Sequence, residues 1–279
     1  MLPGIGFSLQ TKYELSMAQM IPMVKAAGFS ALSPAWSSEL ELELIADYAQ
    51  ENGMVLQSVH APHKNTPFLW TPEAPESLVL QEGILRCIDT CARLAVPLTV
   101  IHGWQGLNYT FSEASLDFTF FDRAVAYARE KKVSIAFENL EGEEYLAALL
   151  TRYRDESHVG FCWDSGHDHC YPHKTDFLAA FGDRLIMTHL NDNFGVRDPA
   201  GVHTKMDDLH FLPYDGNLRW DDAICRLKNA RKQSILNFEF KIQSHSKDPR
   251  DLPYTRLSLE DFLQKAGERA LQIAEMYSV

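Results

Sequence analysis

The chain lacks an excess of basic residues, and this absence limits the partners it can have. It contains 26 Lys and Arg against 38 Asp and Glu, which gives a formal net charge of −12. Proteins that grip nucleic acid or an anionic membrane need a basic surface. No apolar run approaches the roughly 20 residues that span a bilayer. We therefore expect neither nucleic acid nor a membrane as the partner.

Cysteine is also scarce, with five residues in a chain of 279. An odd number of thiols in a chain of this length argues against a disulfide framework. The N-terminal stretch MLPGIGFSLQ has no basic segment followed by an apolar one, so it does not look like a secretory signal. Together these absences predict a protein of the reducing cytoplasm.

Short apolar runs alternate with amphipathic helical segments along the whole chain. The predicted strands are residues 5–8, 29–33, 54–60, 98–102, 133–138, 159–164, 185–190 and 234–239. Eight such strands with helices between them, in 279 residues, fit a (β/α)8 barrel, which needs about 250 residues. We predict the α/β class, a (β/α)8 TIM barrel forming a single domain over residues 1–279. The alternative is an open doubly wound sheet, but no GxGxxG or GxxxxGKS/T motif follows the first strand.

Six successive predicted strands, from the third to the eighth, each end in His, Asp or Glu. The C-terminal ends of the strands meet at one mouth in a closed parallel barrel, and catalytic sites of this fold lie there. Residues that are scattered along the chain therefore become neighbours in space. These strand-end residues are His60, His102, Glu138, Asp164, His189 and Glu239, and His167, Asp208 and His210 lie in the adjoining loops.

Imidazoles and carboxylates without thiolates form a ligand set that suits Mn, Mg, Co or Zn. Such ligands leave coordination positions open for substrate oxygens. A bound divalent ion can then polarise a carbonyl or stabilise a developing alkoxide. The cluster therefore predicts a divalent metal ion at the mouth of the barrel.

The order of the motifs along the chain resembles the xylose-isomerase-like barrel superfamily. The resemblance covers residues 5–240 and rests on the series HAP, HGW, FENL, WDSGH, HLND, DLHFLPYDG and FEF. That superfamily includes sugar isomerases and epimerases as well as the endonuclease IV family. The resemblance implies a metal-dependent enzyme that acts on a small-molecule sugar or sugar phosphate by proton transfer through an enediolate.

The sugar-acting members hold one metal ion with Glu, Asp, His and Glu from four strand ends. Carried over to this chain, the resemblance implies that the metal ligands are Glu138, Asp164, His189 and Glu239. It also implies that Glu138 and Glu239 act as acid and base on opposite sides of the substrate. In those members the histidine three residues after the metal aspartate contacts substrate oxygens, and here that residue is His167.

Endonuclease IV uses a cluster of three zinc ions with nine ligands, and this is the main alternative. All nine have counterparts here, and the five beyond the four-residue set are His60, His102, His167, Asp208 and His210. The resemblance therefore leaves room for additional zinc ions and for phosphodiester cleavage at abasic DNA. Relatives that act as dehydratase-type lyases on keto-inositols use a similar site, so this reaction is open as well.

Three features favour sugar chemistry over DNA cleavage. The net charge is acidic, the stretch 102–118 contains no Lys or Arg, and the stretch 60–75 contains only Lys64. A duplex-binding enzyme needs several phosphate contacts. The loop DLHFLPYDGNLRW also resembles the HLPPGEGxIDW type of the sugar isomerases, although Tyr214 and Asp215 stand where Gly and Glu are usual.

Two residues near the mouth are further candidates for contact with a substrate. Trp104 follows the fourth predicted strand and offers a ring that stacks on a sugar. Arg197 follows the seventh and offers a cation for a substrate oxygen or phosphate. Since sugar-acting relatives are often dimers or tetramers, the resemblance also implies a homo-oligomer.

Overall fold

The computed structural model describes residues 2–9, 15–171, 173–242, 250 and 252–279. The strands are β1 (Gly4–Phe7), β2 (Ala31–Leu32), β3 (Val55–Leu56), β4 (Val59–His60), β5 (Leu98–His102), β6 (Ser134–Glu138), β7 (Val159–Asp164), β8 (Leu185–His189) and β9 (Ile235–Phe238). The α-helices are α1 (Met17–Ala26), α2 (Glu39–Glu51), α3 (Pro75–Arg93), α4 (Thr119–Lys131), α5 (Glu143–Arg152), α6 (Ser165–Cys170), α7 (Phe177–Phe181), α8 (Trp220–Lys228) and α9 (Leu259–Ser278). Short 3-10 turns cover Thr66–Trp70, Glu113–Ser115 and Gly182–Arg184. Among these helices, none combines the length and the apolar character needed to cross a membrane.

The strands form a closed ring. They pair in parallel in two curved sheets, with the orders β3-β2-β1-β9 and β4-β5-β6-β7-β8. Parallel bridges close both gaps, because Leu190 pairs with Phe238 beyond β8 and Ala35 pairs with His60 beyond β2. The predicted α/β barrel is therefore confirmed, and the open-sheet alternative is wrong.

The third predicted strand, residues 54–60, is divided into two short strands. β3 pairs with β2, and β4 pairs with β5 on its other edge while it stays bonded to the segment that follows β2. At this corner the amide of Gln57 still donates to Leu32 O at 2.9 Å, while the amide of His60 donates to Pro34 O at 2.9 Å. The run of apolar residues is continuous in sequence, but the ladder is not.

The interior of the barrel is apolar along β5 to β8. The side chains packed there are Leu98, Val100, Ala136, Cys162 and Met187. Leu98 begins β5, and the other four each lie two residues before the residue that ends their strand. Side chains two apart in a strand share one face. This layer therefore lies directly beneath His102, Glu138, Asp164 and His189. A second and larger core fills the space between the barrel and the surrounding helices.

Asp192, three residues beyond the end of β8, holds the following loop in place. One carboxylate oxygen accepts hydrogen bonds from the amides of Asn193 (2.9 Å) and Leu218 (3.0 Å). The other accepts from the amide of Tyr214 (2.9 Å) and from Trp220 Nε1 (3.0 Å). Asp192 is fully buried, and all four of these donors point at its one carboxyl group. It thereby anchors the segment that follows His210.

We expect Asp192→Asn to lower the free energy of unfolding by about 3 kcal/mol, because an amide group cannot accept two of the four bonds and bonds to a charged acceptor are worth about 1.5–3 kcal/mol each. Urea denaturation followed by tryptophan fluorescence measures the change. Asp155→Asn is the matched control, since the Asp155 side chain is 92% exposed and lies 3.5 Å from Arg154. Equal midpoints for the two variants would contradict this role.

Candidate functional site

The C-terminal mouth of the barrel brings together all nine residues that the sequence singled out. Six come from the ends of strands or just beyond, and three from loops or the short helix α6. Their side chains form groups whose potential ligand atoms lie within 4.8 Å of one another. The groups are Glu138–Asp164–His189–Glu239, His60–His102–Glu138 and His167–Asp208–His210.

Glu138 lies at the centre of this cluster. Its Oε1 lies 3.0 Å from His189 Nδ1 and 3.4 Å from His167 Nδ1. Its Oε2 lies 3.1 Å from His102 Nε2 and 3.3 Å from His60 Nε2. One carboxylate therefore contacts four imidazoles and belongs to two of the three groups.

The four-residue group surrounds His189 with carboxylates. His189 Nδ1 lies 3.0 Å from Glu138 Oε1 and 3.1 Å from Glu239 Oε2. The side chain of Glu239 is 17% exposed, whereas that of Glu138 is 1% exposed. Glu239 is therefore the glutamate that a molecule entering the mouth can reach.

The third group adjoins the four-residue group through His167, whose Nδ1 lies 3.7 Å from Asp164 Oδ1. Asp208 Oδ2 lies 2.9 Å from His210 Nε2 and 3.5 Å from His167 Nε2. The other oxygen of Asp208 is buried and has no hydrogen-bond partner among the described residues. A buried carboxylate oxygen without a donor is costly, which favours a cation at this position. His210 is held at a positive φ of 51° and its Nδ1 donates to the carbonyl of Glu239 at 3.1 Å.

The charges of the site set the pKa values of its glutamates. Burial would raise the pKa of Glu138, but the charges of His189 and His102 outweigh it and hold that pKa well below its usual range. Burial acts in the same way on Glu239, whose pKa is held well below its usual range by His189 and His210. Both glutamates are therefore ionised at neutral pH.

Asp164 is braced by two asparagines that sequence reasoning missed. Asn191 Nδ2 donates to both carboxylate oxygens, at 3.1 and 2.9 Å. Asn139 bonds the backbone of Asp164 in both directions, at 2.7 and 2.9 Å. The amide of His167 adds a bond to Asp164 Oδ1 at 2.7 Å. The two asparagines lie inside the motifs FENL and HLND, next to predicted ligands. This proximity is the signal by which the sequence could have pointed to them.

His63 also lies beside the site, although no motif pointed to it. Its ring centre is 5.1 Å from the ring centres of both His60 and His102. Burial, together with the neighbouring imidazoles of His102 and His60, lowers the pKa of His63 to about 3. The imidazole of His63 is therefore neutral at physiological pH.

Cys162 lies close to the four-residue group, with its thiol within 4.8 Å of ligand atoms of Glu138 and His189. Burial raises the pKa of Cys162 to about 12, so the thiol stays protonated at neutral pH. It belongs to the apolar layer beneath the mouth.

Trp104 and Arg197 both make contacts within the protein. The Trp104 ring stacks on Tyr145 with ring centres 4.2 Å apart, and its Nε1 donates to Gly106 O at 3.0 Å. Arg197 Nε donates to Asp207 Oδ1 at 3.1 Å. Substrate contact by either residue stays a prediction.

The sequence is similar to a known family and to an uncharacterized protein. Residues 21–265 match the family described as xylose isomerase-like TIM barrel. The uncharacterized protein y4fM of Sinorhizobium fredii (strain NBRC 101917 / NGR234) is 28% identical over 307 aligned residues, which cover 95% of this chain and 90% of that protein.

Solved structures with similar folds include two epimerases and a zinc-binding protein. D-psicose 3-epimerase with D-tagatose from Clostridium cellulolyticum H10 superposes with a TM-score of 0.72 at 13% identity, covering 96% of this chain and 98% of that chain. The IolI protein with a bound zinc atom has a TM-score of 0.73 at 15% identity, covering 97% and 98%. The 3-keto-D-glucoside 4-epimerase YcjR from E. coli has a TM-score of 0.70 at 14% identity, covering 98% and 99%.

At these identities the solved structures establish the fold alone, while the family match spans most of the chain. The chain belongs to the xylose isomerase-like TIM barrel family.

Proposed function

We propose that this protein is a divalent-metal-dependent isomerase or epimerase of a sugar. The observation that supports this best is the group Glu138–Asp164–His189–Glu239, in which two ionised glutamates flank one imidazole at the open end of the barrel. The sugar epimerases among the structural neighbours agree with this class of substrate.

The donor atoms of this group fit a divalent ion. Three carboxylates and one imidazole suit Mn, Zn, Co or Mg. The ligand atoms lie within 4.8 Å of one another, and ligands that share one ion at about 2.0–2.2 Å lie about 3–4 Å apart. Glu138, Asp164, His189 and Glu239 would hold this ion. When bound, it would polarise the carbonyl of the substrate and thereby make the neighbouring C–H more acidic.

The two glutamates would move the proton. Glu239, which is the more exposed, would accept the proton from the carbon next to the carbonyl as the substrate enters from the mouth. Glu138 would serve as the partner acid or base from beneath. Return of the proton to the other face gives an epimer, and return to the neighbouring carbon of the enediolate gives an isomer.

His167 would orient the substrate. Its Nδ1 donates to the carbonyl of Asn139 at 2.9 Å, which fixes the plane of the ring. Burial alone would lower the pKa of His167, but the charges of Asp164 and Asp208 outweigh it and raise that pKa well above its usual value. The imidazolium can then donate from Nε2 to a substrate oxygen.

A second candidate function is phosphoester cleavage by a three-ion site. The observation that favours it is that two further groups of potential ligands, which we call the flanking groups, lie beside the four-residue group. They are His60–His102–Glu138 and His167–Asp208–His210. The acidic net charge of −12 weighs against a DNA substrate, because phosphate contacts need cationic side chains. Lyase action on a keto-inositol would use the same four-residue group and is a variant of the first proposal.

We expect Glu239→Gln and Glu138→Gln to slow C–H exchange by about 10²–10⁴-fold, because each removes a proton acceptor. The assay follows loss of the ¹H NMR signal next to the carbonyl when zinc-loaded enzyme is mixed with free ketoses in D2O. Glu268→Gln on the exposed face of α9 is the control and should exchange like wild type. Wild-type rates in both site variants would refute the assignment.

Metal stoichiometry separates the two candidate functions. For the isomerase we expect one firmly held ion per chain by elemental analysis, lost in Glu239→Ala and retained in Asp208→Asn. Asp208 contributes only to the flanking group, so it is the matched test. Three zinc ions per chain, reduced in Asp208→Asn, together with cleavage of an abasic-site duplex, would replace the first proposal by the second.

The ion should also stabilise the fold less at acidic pH. Burial raises the pKa of Asp164 to about 6, so below that pH a proton competes with the ion for this carboxylate. We expect the rise in Tm on adding zinc to be large at pH 7.5 and to shrink as the pH falls through 6. Thermal scans with and without zinc measure this, and an equal rise at pH 5 and pH 7.5 would contradict it.

A further inference from the structure

The mouth of the barrel has a second arc, formed by β1, β2, β3 and β9, that carries neutral polar side chains. The ladder bonds set its register. The amide of Ser8 donates to Phe238 O (2.9 Å), that of Ser33 to Phe7 O (2.9 Å) and that of Gln57 to Leu32 O (2.9 Å). Ser8, Ser33 and Gln57 are therefore level with Glu239, one after another around the ring.

These side chains face the inside of the barrel. Residues that pair side by side in a parallel sheet point to the same face, and Glu239 points into the mouth. Asn237 lies one layer below Glu239, and its Nδ2 donates to Ser8 Oγ at 2.8 Å. We call Ser8, Ser33, Gln57 and Asn237 the polar arc.

The polar arc has hydrogen-bonding capacity that the described residues do not use. Ser33 Oγ, Gln57 Oε1 and Asn237 Oδ1 are buried and have no partner among them. Gly6 adds to the space, since a Cβ there would lie 2.8 Å from Asn237 Oδ1 and 2.9 Å from Gln57 Oε1. Buried polar groups are nearly always satisfied, so these atoms need a partner that the described residues do not supply.

We infer that the polar arc is a subsite for the uncharged hydroxyl groups of the substrate. It lies on the side of Glu239 away from the other three proposed metal ligands. This inference rests on the proposed sugar function and narrows it, because it commits the substrate to a free sugar whose distal carbons carry hydroxyls. Hydroxyl and amide groups both donate and accept, which matches sugar hydroxyls.

A terminal phosphate does not fit this subsite. Phosphates are held by charge-assisted bonds from Arg, Lys or helix N-termini, and the polar arc contains only serines, a glutamine and an asparagine. The same arc would therefore select against sugar phosphates.

The experiment uses zinc-loaded enzyme with D-fructose, D-tagatose and D-xylulose, each free and as its terminal phosphate. Proton exchange in D2O gives kcat and KM, and calorimetry with sorbitol, which has no carbonyl and cannot react, gives binding alone. The variants are Ser33→Ala and Gln57→Leu. Ser30→Ala is the matched control, because Ser30 lies before β2 at the opposite end of the barrel and donates to Ile5 O at 3.3 Å.

We expect each arc variant to raise KM for the free ketose and to weaken sorbitol binding about tenfold, the cost of one lost hydrogen bond, with zinc content and kcat nearly unchanged. Free ketoses should have higher kcat/KM than their phosphates. Unchanged KM and sorbitol affinity, with only a lower Tm, would assign the arc to structural water and overturn the inference. Preference for a phosphate would overturn it as well.

The two proposals fail separately in this design. If wild type exchanges no proton on any ketose but binds sorbitol in a manner that depends on Ser33 and Gln57, the isomerase function falls and the subsite stands. If exchange occurs but is indifferent to both variants, the function stands and the subsite falls. If wild type neither exchanges nor binds sorbitol, both fall.

Discussion

The carboxylate of Glu138 is the interaction on which the mouth of this barrel depends. It contacts His60 from β4, His102 from β5, His189 from β8 and His167 from α6, at 3.0–3.4 Å. Four imidazoles crowded in a buried space repel one another once any of them is protonated, and one central negative charge offsets that repulsion. The barrel brings the strand ends together, and the negative charge of Glu138 offsets the repulsion between the imidazoles that meet there.

Much of this architecture follows from local pattern. The alternation of apolar runs with helical segments predicted the barrel, and the strand ends at His102, Glu138, Asp164 and His189 lie where the pattern placed them. The pattern failed at 54–60, where β3 and β4 divide one apolar run. At that break the pairing shifts by one residue, from Leu32 with Leu56 to Ala35 with His60, and residue periodicity does not contain such a shift in register.

The supporting residues of the site were harder to predict than its charged members. A histidine or glutamate at a strand end is conspicuous, whereas Asn191 matters only because its side chain meets Asp164 across 27 positions of sequence. Ser33 and Gln57 are ordinary residue types, and they become informative only once the ladders align them with Glu239. Trp104 is the opposite case, because it was conspicuous in the sequence as a ring near the mouth, whereas in the structure it stacks on Tyr145.

The carboxylate of Asp164 has two structural roles at the mouth of the barrel. Its Oδ1 accepts the amide of His167 and so starts helix α6, while the same side chain belongs to the four-residue group. Any movement of this carboxylate therefore moves the first turn of α6 and with it the His167 ring, which faces Asp208. Asp164 thereby links the position of the four-residue group to that of the group His167–Asp208–His210.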